Sequence, residues 1–268
     1  MGSSSHDNMS FLEHLEELRW HIIRSLIAIV SAGFICFLMK DFIFDTIIFG
    51  PKKMDFPTYK FLCQAATFIG VETTFCGDEF PFIVQNRTIA GQFSAHVMTS
   101  IISGFIISFP YILFEFWKFI SPGLLEKEKA KSRGFIFISS LLFFIGVLFG
   151  YYIISPLSIN FLGTYQVSSQ VLNEIDLGSF ISLVRSSAIA SGIIFELPII
   201  IYFLTKAGVV TPESLVKYRK YALVLVLVLA AIITPPDVAS QIIVAIPIVV
   251  LYQVSIFISK IVVKNQGK

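Results

Sequence analysis

An all-α, polytopic membrane protein is the fold class that the sequence predicts, and three observations support that prediction. Hydrophobic residues make up 55% of the 268 residues, and the mean hydropathy is +0.81. Charged residues make up only 14%, whereas about 25% is usual in soluble domains. The apolar residues are gathered into long runs that match a bilayer core of about 30 Å. The net charge of +2 gives no reason to expect nucleic acid as a partner.

Six apolar segments are long enough, or nearly long enough, to cross the membrane. They cover about 22–39, 95–117, 135–155, 183–205, 221–233 and 238–258. We expect one membrane domain over 1–268 that ends in two short C-terminal spans. The fifth segment reaches only about 20 Å at ~1.5 Å per residue. The turn TPPD (Thr234–Asp237) joins it to the sixth as an antiparallel hairpin.

Prolines inside three of these segments predict bent helices and a curved, concave bundle. Pro110, Pro198 and Pro247 each remove a backbone hydrogen bond from their helix. Membrane helices also tolerate proline for purely structural reasons, because neighbouring groups satisfy the backbone again. Both interpretations stay open.

The distribution of positive charge predicts the orientation. Most lysines and arginines fall on the side that carries both termini, so we expect a multi-pass protein of the cytoplasmic membrane with both termini in the cytoplasm. Residues 40–94 then form a long outer segment, which we expect to fold as a cap, and 156–182 form a second outer loop. Cys63 and Cys76 lie in the cap, where a disulfide and two free thiols are both possible.

Polar side chains inside the apolar segments are the first candidates for function. Glu196 stands in SGIIFELPIIIYF, where a charge costs ~2.5–3.5 kcal/mol. It either serves a function or is protonated and bonded to a neighbouring serine, and we favour the functional role. Glu115, near the inner end of its span, can reach water or Lys118. Gln241 and Gln253 are expected to form hydrogen bonds between helices.

No catalytic or metal-binding pattern is present in the sequence. His14 and His21 have no cysteine or histidine at ligand spacing. Nucleophile elbows, phosphate loops and paired acids are also missing. We therefore expect a protein that is not an enzyme, with no metal and no cofactor.

An acidic amphipathic stretch, HLEELRWHIIRS, stands immediately before the first apolar segment. Its carboxylates either keep the helix end solvated or wait for a cation from another molecule. Residues 116–134 form the next inner loop, in which acids alternate with lysines. Mixed charge of that kind is most often only solvation.

Several of these stretches together resemble the TatC family of the twin-arginine protein translocase. They are FLEHLEELRWHIIRS, FPYILFEFWKFISPGL, GIIFELPIIIYFLTKAGVVTPESL and RKYALVLVLVLAAIITPPDVASQIIVAIPIVVLYQVSIF, set in a six-span layout. The long first outer segment is similar to that of Bacteroidota-type members.

The resemblance implies a receptor for twin-arginine signal peptides and a core scaffold for export of folded proteins, driven by the proton-motive force. It implies single-span TatA/TatB-type partners, self-association and membrane lipid as partners. The residues implied for signal-peptide binding are Glu17, Arg19, Phe119, Pro122 and Glu128. The stretch LLEKEKAKS keeps the acid of Glu128 but departs from the family wording around it.

The residues implied for partner binding and translocation are Glu196, Pro51, Asp237 and Gln241. Two other classes of protein remain as alternatives to this export receptor. A proton-coupled secondary solute transporter would use Glu196 as its proton site, but it would also be expected to carry internal repeats, which the sequence lacks. A purely structural membrane scaffold would tolerate the loss of Glu17, Glu128 and Glu196 with no effect on export.

Overall fold

The structure is a computed structural model, and it describes residues 11–70, 76–77, 80–120, 132–168, 170–233 and 238–266. Its helices are α1 (Phe11–Leu38), α2 (Pro57–Ile69), α3 (Gly91–Ile120), α4 (Ser132–Phe149), α5 (Ser155–Thr164), α6 (Leu177–Phe195), α7 (Leu197–Lys206), α8 (Pro212–Lys217), α9 (Arg219–Ile233) and α10 (Val238–Gln266). Two short strands, β1 (Phe82–Gln85) and β2 (Asn173–Asp176), accompany them. The chain is therefore almost entirely helical, as predicted.

Five stretches within the described residues are long and apolar enough to cross a membrane: Leu15–Leu38, Gly91–Ile120, Gly134–Thr164, Leu177–Lys206 and Ser240–Asn265. The polytopic α-helical class is thus confirmed. The predicted fifth span corresponds to α9, which has only 15 residues. The expectation of two short C-terminal spans is wrong in one respect, because α10 has 29 residues.

The predicted outer loop 156–182 is also wrong in its bounds. Helix α4 continues through a π-helical turn, Gly150–Ile154, into α5 and ends only at Thr164. Pro156 lacks the N–H that would bond the carbonyl of Tyr152, and the Thr58 hydroxyl donates to that carbonyl instead. Because a side chain distant in sequence replaces the missing donor, the helix can pass the proline.

The described residues fall into two compact units. The first comprises α1, most of α3 and the start of α4, from residues 1–40 and 96–141. Here α1 and α3 approach closely, since a Cβ atom at Gly104 would lie 2.5 Å from the backbone nitrogen of Gly33. The Ser108 hydroxyl donates to the carbonyl of Ala28 at 3.0 Å. Small residues and a hydroxyl thus provide the contact that apolar burial cannot supply within lipid.

The second unit comprises residues 41–95 and 142–268 and includes the outer segment. A π-helical stretch (Phe42–Ile48) and a 3₁₀ turn (Gly50–Lys52) lead into α2. Tyr59 is fully buried, and its hydroxyl lies 2.9 Å from the carbonyl oxygens of both Pro51 and Pro156. Burial raises the pKa of Tyr59, so the hydroxyl keeps its proton and remains a donor.

Three further links connect parts of the outer segments. Strands β1 and β2 pair in parallel, with Phe82 opposite Asn173 and Gln85 opposite Asp176. Arg87 Nη2 lies 2.9 Å from Glu174 Oε2. Cys63 and Cys76 form a disulfide with their Cα atoms 5.1 Å apart. The sequence analysis allowed either a disulfide or two free thiols at these positions, and it did not predict the two strands.

The core of the second unit lies between α9, α10 and the π-helical turn. It is the buried cluster of Ile154, Val226, Ala230, Val244, Ala245 and Ile248. Ile194 and Leu197, which flank Glu196, pack against this cluster. A hydrogen bond of 2.9 Å between the Thr205 and Ser259 hydroxyls joins α7 to α10. The helices that carry Glu196 and Gln241 therefore meet in one core.

Candidate functional site

A buried acid on α3 is the centre of the first site. Glu115 is 2% exposed, and its Oε2 atom lies 2.6 Å from His21 Nδ1 on α1. Arg24 Nη1 lies 3.7 Å from the same oxygen, and Lys118 Nζ lies 4.0 Å from Oε1. The predicted reach of Glu115 to Lys118 is therefore confirmed. A carboxylate in this setting is stabilised by a short hydrogen bond and two nearby cations.

The predicted signal-peptide residues lie close to this acid. Glu17 and His21 are separated by one turn of α1, and Glu115 and Phe119 by one turn of α3. The rings of His21 and Phe119 meet edge to face, with their centroids 6.1 Å apart. Glu17 and Phe119 are half-buried, whereas Arg19 is exposed. The structure thus brings Phe119 into contact with the helix that carries Glu17.

Three predicted site residues lie outside the described residues. They are Pro122 and Glu128, which lie between α3 and α4 in the sequence, and Asp237, which lies between α9 and α10. Their roles stay predictions, as does the tight TPPD turn itself.

Glu196 occupies a break between two helices. It ends α6 and precedes α7, and its side chain is buried, with 9% exposure. Pro198 stands in the first turn of α7 and cannot donate to the preceding turn. The Glu196 carbonyl accepts from the N–H groups of Ile199 and Ile200 at 2.9 and 3.0 Å. A proline and an acid at one break thus place a buried carboxyl inside the candidate span.

The prolines of the other two spans lie within continuous helices. Pro110 is inside α3 and Pro247 is inside α10. The helix is therefore interrupted at Pro198 and continues past Pro110 and Pro247, and the bends expected at these two prolines stay predictions. The concave shape stays a prediction.

The remaining two predicted residues are held by hydrogen bonds. The Gln241 side chain donates to the carbonyl of Leu227 at 3.1 Å, which confirms the expected bond between helices. Pro51 is buried, and its carbonyl accepts from the Tyr59 hydroxyl. Gln253 is exposed on α10. Gln241 thus joins the two C-terminal helices, and Pro51 holds the corner before α2.

His21 is the residue at this site that the sequence analysis missed. Its position on the α1 face that carries Glu17 was visible as a spacing of four residues. Its partner Glu115 is 94 residues away, so only the packing of α1 against α3 reveals the pair. Among the described residues, no group of three His, Cys, Asp or Glu side chains could hold a metal ion.

These features define a polytopic α-helical membrane protein with buried acids on spanning helices. The sequence profile of the TatC family, described as Sec-independent protein translocase protein, matches residues 13–247. A relative named TatC from Blattabacterium sp. subsp. Periplaneta americana is 46% identical over 97% of this chain and 98% of its own. One from Aquifex aeolicus is 36% identical over 96% of this chain and 98% of its own.

Solved structures agree with these relatives. A crystal structure described as the twin arginine translocase receptor TatC is 34% identical, with a TM-score of 0.67, over 94% of this chain and 100% of that one. A second, of TatC in DDM, is 35% identical, with a TM-score of 0.70, over 92% and 99%. The chain belongs to the TatC family of Sec-independent protein translocase components. Membership favours the export prediction over the solute transporter.

Proposed function

We propose that the chain is the signal-peptide receptor and core scaffold of a twin-arginine translocase, which exports folded proteins by means of the proton-motive force. The observation that carries the proposal is the position of Glu17 and Phe119. Each lies one helical turn from the same buried pair, His21 and Glu115, so an acid and an aromatic ring lie near each other at one end of the first unit.

The chemistry of the ligand fits this end of the unit. An arginine guanidinium binds a carboxylate through two parallel hydrogen bonds, which an ammonium cannot reproduce. Hydrogen bonds to charged groups contribute ~1.5–3 kcal/mol each. Glu17 supplies one such carboxylate, and Glu128, which follows α3 in the sequence, supplies the second. Arg19, Phe119 and Pro122 surround the bound peptide.

The experiment is photo-crosslinking from position 17 or 128 to a labelled precursor, in membranes that contain the full chain. We expect Glu17→Ala and Glu128→Ala to reduce crosslinking of a twin-arginine precursor, and a twin-lysine precursor to bind poorly even to the unsubstituted chain. Glu16→Ala is the matched control, because Glu16 is exposed beside Glu17. Equal crosslinking of the twin-arginine and twin-lysine precursors would contradict the proposal.

Glu196 is proposed to bind single-span TatA/TatB-type subunits, together with Pro51, Asp237 and Gln241. Supporting this, its buried carboxyl lies at a helix break inside a candidate span, where an acid is costly and most often serves a function. We expect Glu196→Ala to leave signal-peptide crosslinking intact and to lower the yield of co-purified partner subunits. Glu213→Ala is the control, since Glu213 is an exposed acid on α8. Normal assembly and export with Glu196→Ala would contradict the role.

The proposed location is the cytoplasmic membrane, with both termini inside. It is supported by the five candidate spans and by the positive charge near the termini, and it requires α9 to be a short sixth crossing. A membrane-impermeant maleimide should label a cysteine introduced at Lys264 only after the membrane is opened. Labelling of that cysteine in intact cells would show that the C-terminus lies outside, opposite to the proposed orientation.

A further inference from the structure

The pair of His21 and Glu115 lies at the end of the first unit that carries the proposed binding residues. The two side chains are 8% and 2% exposed, and they join helices whose residues are 94 positions apart. Removing one partner of a buried hydrogen bond leaves the other polar group without that bond, which is destabilising. The pair therefore fixes the rotation of α1 about its own axis and its position along α3.

Glu115 itself is not accessible to a peptide. Its carboxylate is buried and already has His21, Arg24 and Lys118 around it, at 2.6, 3.7 and 4.0 Å. An incoming arginine would have to displace these groups and enter a site with almost no exposed surface. Glu17, which is half-buried, and Arg19, which is exposed, are the groups that a peptide can reach.

The accessible residues depend on the buried pair for their position. Residues four apart on a helix share a face, so a rotation of α1 that displaces His21 also displaces Glu17. In the same way, Glu115 and Phe119 share a face of α3, and the His21 ring touches the Phe119 ring at 6.1 Å. Lys118 is additionally held over the Phe114 ring, 4.5 Å from its centre.

We infer that His21 and Glu115 are positioning residues for the signal-peptide site, and that their hydrogen-bonded contact sets the distance between the Glu17 carboxylate and the Phe119 ring. This inference rests on the proposed function. The pair selects for arginine indirectly, because a bidentate contact tolerates less displacement than a point charge does.

The experiment measures binding of a fluorescent twin-arginine signal peptide, and of its twin-lysine version, to the purified full chain in lipid nanodiscs. We expect Glu115→Ala and His21→Ala each to weaken twin-arginine binding about tenfold, equivalent to ~1.4 kcal/mol. Twin-lysine binding should change less, so the ratio of the two affinities should fall. His21→Arg keeps a hydrogen-bond donor beside Glu115 and should restore most of the ratio.

A matched control exists at the other end of the same two helices. The His96 ring stacks on the Phe37 ring with centroids 4.0 Å apart, and Nε2 lies 3.0 Å from the Phe37 carbonyl oxygen. His96→Ala should lower the melting temperature of the chain without changing the affinity ratio. If His96→Ala lowers the ratio as much as Glu115→Ala does, the pair is only a general packing contact and the inference is overturned.

The outcomes separate this inference from the proposed function. If Glu17→Ala abolishes binding and Glu115→Ala leaves the ratio unchanged, the positioning role falls and the receptor function stands. If Glu17→Ala has no effect on binding, the receptor site and the positioning role fall together. Should Glu115→Ala fail to fold, Glu115→Met fills a similar space but removes the hydrogen bond to His21, and an unchanged ratio in that variant also overturns the inference.

Discussion

The side-chain amide of Gln241 on α10 donates to the backbone carbonyl of Leu227 on α9 at 3.1 Å. This bond lies beside the buried cluster that includes Val226 and Val244. A short helix such as α9 gains little from its own length, so contacts with α10 hold it in place. The C-terminal hairpin is therefore defined by a polar contact between helices as well as by its apolar core.

We expect Gln241→Leu to destabilise the chain modestly, because hydrogen bonds between membrane helices contribute about 0.6 kcal/mol on average. Thermal unfolding in detergent should report a small drop in melting temperature. Gln253→Leu is the control on the same helix, since Gln253 is exposed. A larger loss with Gln253→Leu than with Gln241→Leu would contradict the assignment.

The outer segment provides a prediction about thiols. Cys63 and Cys76 are 13 positions apart and bridged, and Cys36 is free and buried. A maleimide should therefore label the folded chain only after reduction, which frees the thiols of Cys63 and Cys76. The double variant Cys63→Ser/Cys76→Ser should lose about 3 kcal/mol or less, the stabilisation expected for a loop of this length.

Labelling of Cys63 in the unreduced, folded chain would show that the disulfide does not form in the protein. Cys36→Ser serves as the control variant, because it removes the buried thiol. Its labelling pattern should match that of the unsubstituted chain before and after reduction.

Tyr59 is the buried anchor of the outer segment. Its hydroxyl lies within hydrogen-bond distance of two carbonyl oxygens, those of Pro51 and Pro156, each at 2.9 Å. Tyr59→Phe leaves buried acceptors without this donor, which costs about 1–3 kcal/mol. A fall in melting temperature in detergent should follow, and Tyr165→Phe, at an exposed tyrosine, should leave it unchanged. An unchanged melting temperature for Tyr59→Phe would mean that the hydroxyl contributes nothing.

The membrane class and most spans followed from hydropathy, because lipid selects long apolar helices and little else. The residues at which the helices end could not be predicted from hydropathy. The third span was predicted to end at about residue 155, yet the helix continues past Pro156 to Thr164, since Thr58 supplies the donor that proline lacks. No local pattern connects two residues so far apart. The pairing of β1 with β2 is unpredictable from sequence for the same reason.

The candidate site shows the same division between local and distant information. Glu196 was found from sequence because an acid among apolar residues stands out, and so was the hydrogen-bonding role of Gln241. Glu115 was given little weight, because its own neighbourhood includes Lys118 and the end of the span. Its burial and its contact with His21 depend on how α1 packs on α3, and that packing is set by small residues at matching heights.

The close approach of α1 and α3 provides the last prediction. A Cβ atom at Gly104 would lie 2.5 Å from both the Gly33 nitrogen and the Ile29 carbonyl oxygen, so Gly104→Ala must push the two helices apart. We expect a lower melting temperature and weaker precursor crosslinking at position 17. Gly134→Ala is the control, since its Cβ would meet nothing within 4 Å and alanine favours a helix by roughly 0.5–1 kcal/mol. If Gly104→Ala is as stable as Gly134→Ala, the two helices do not pack through Gly104.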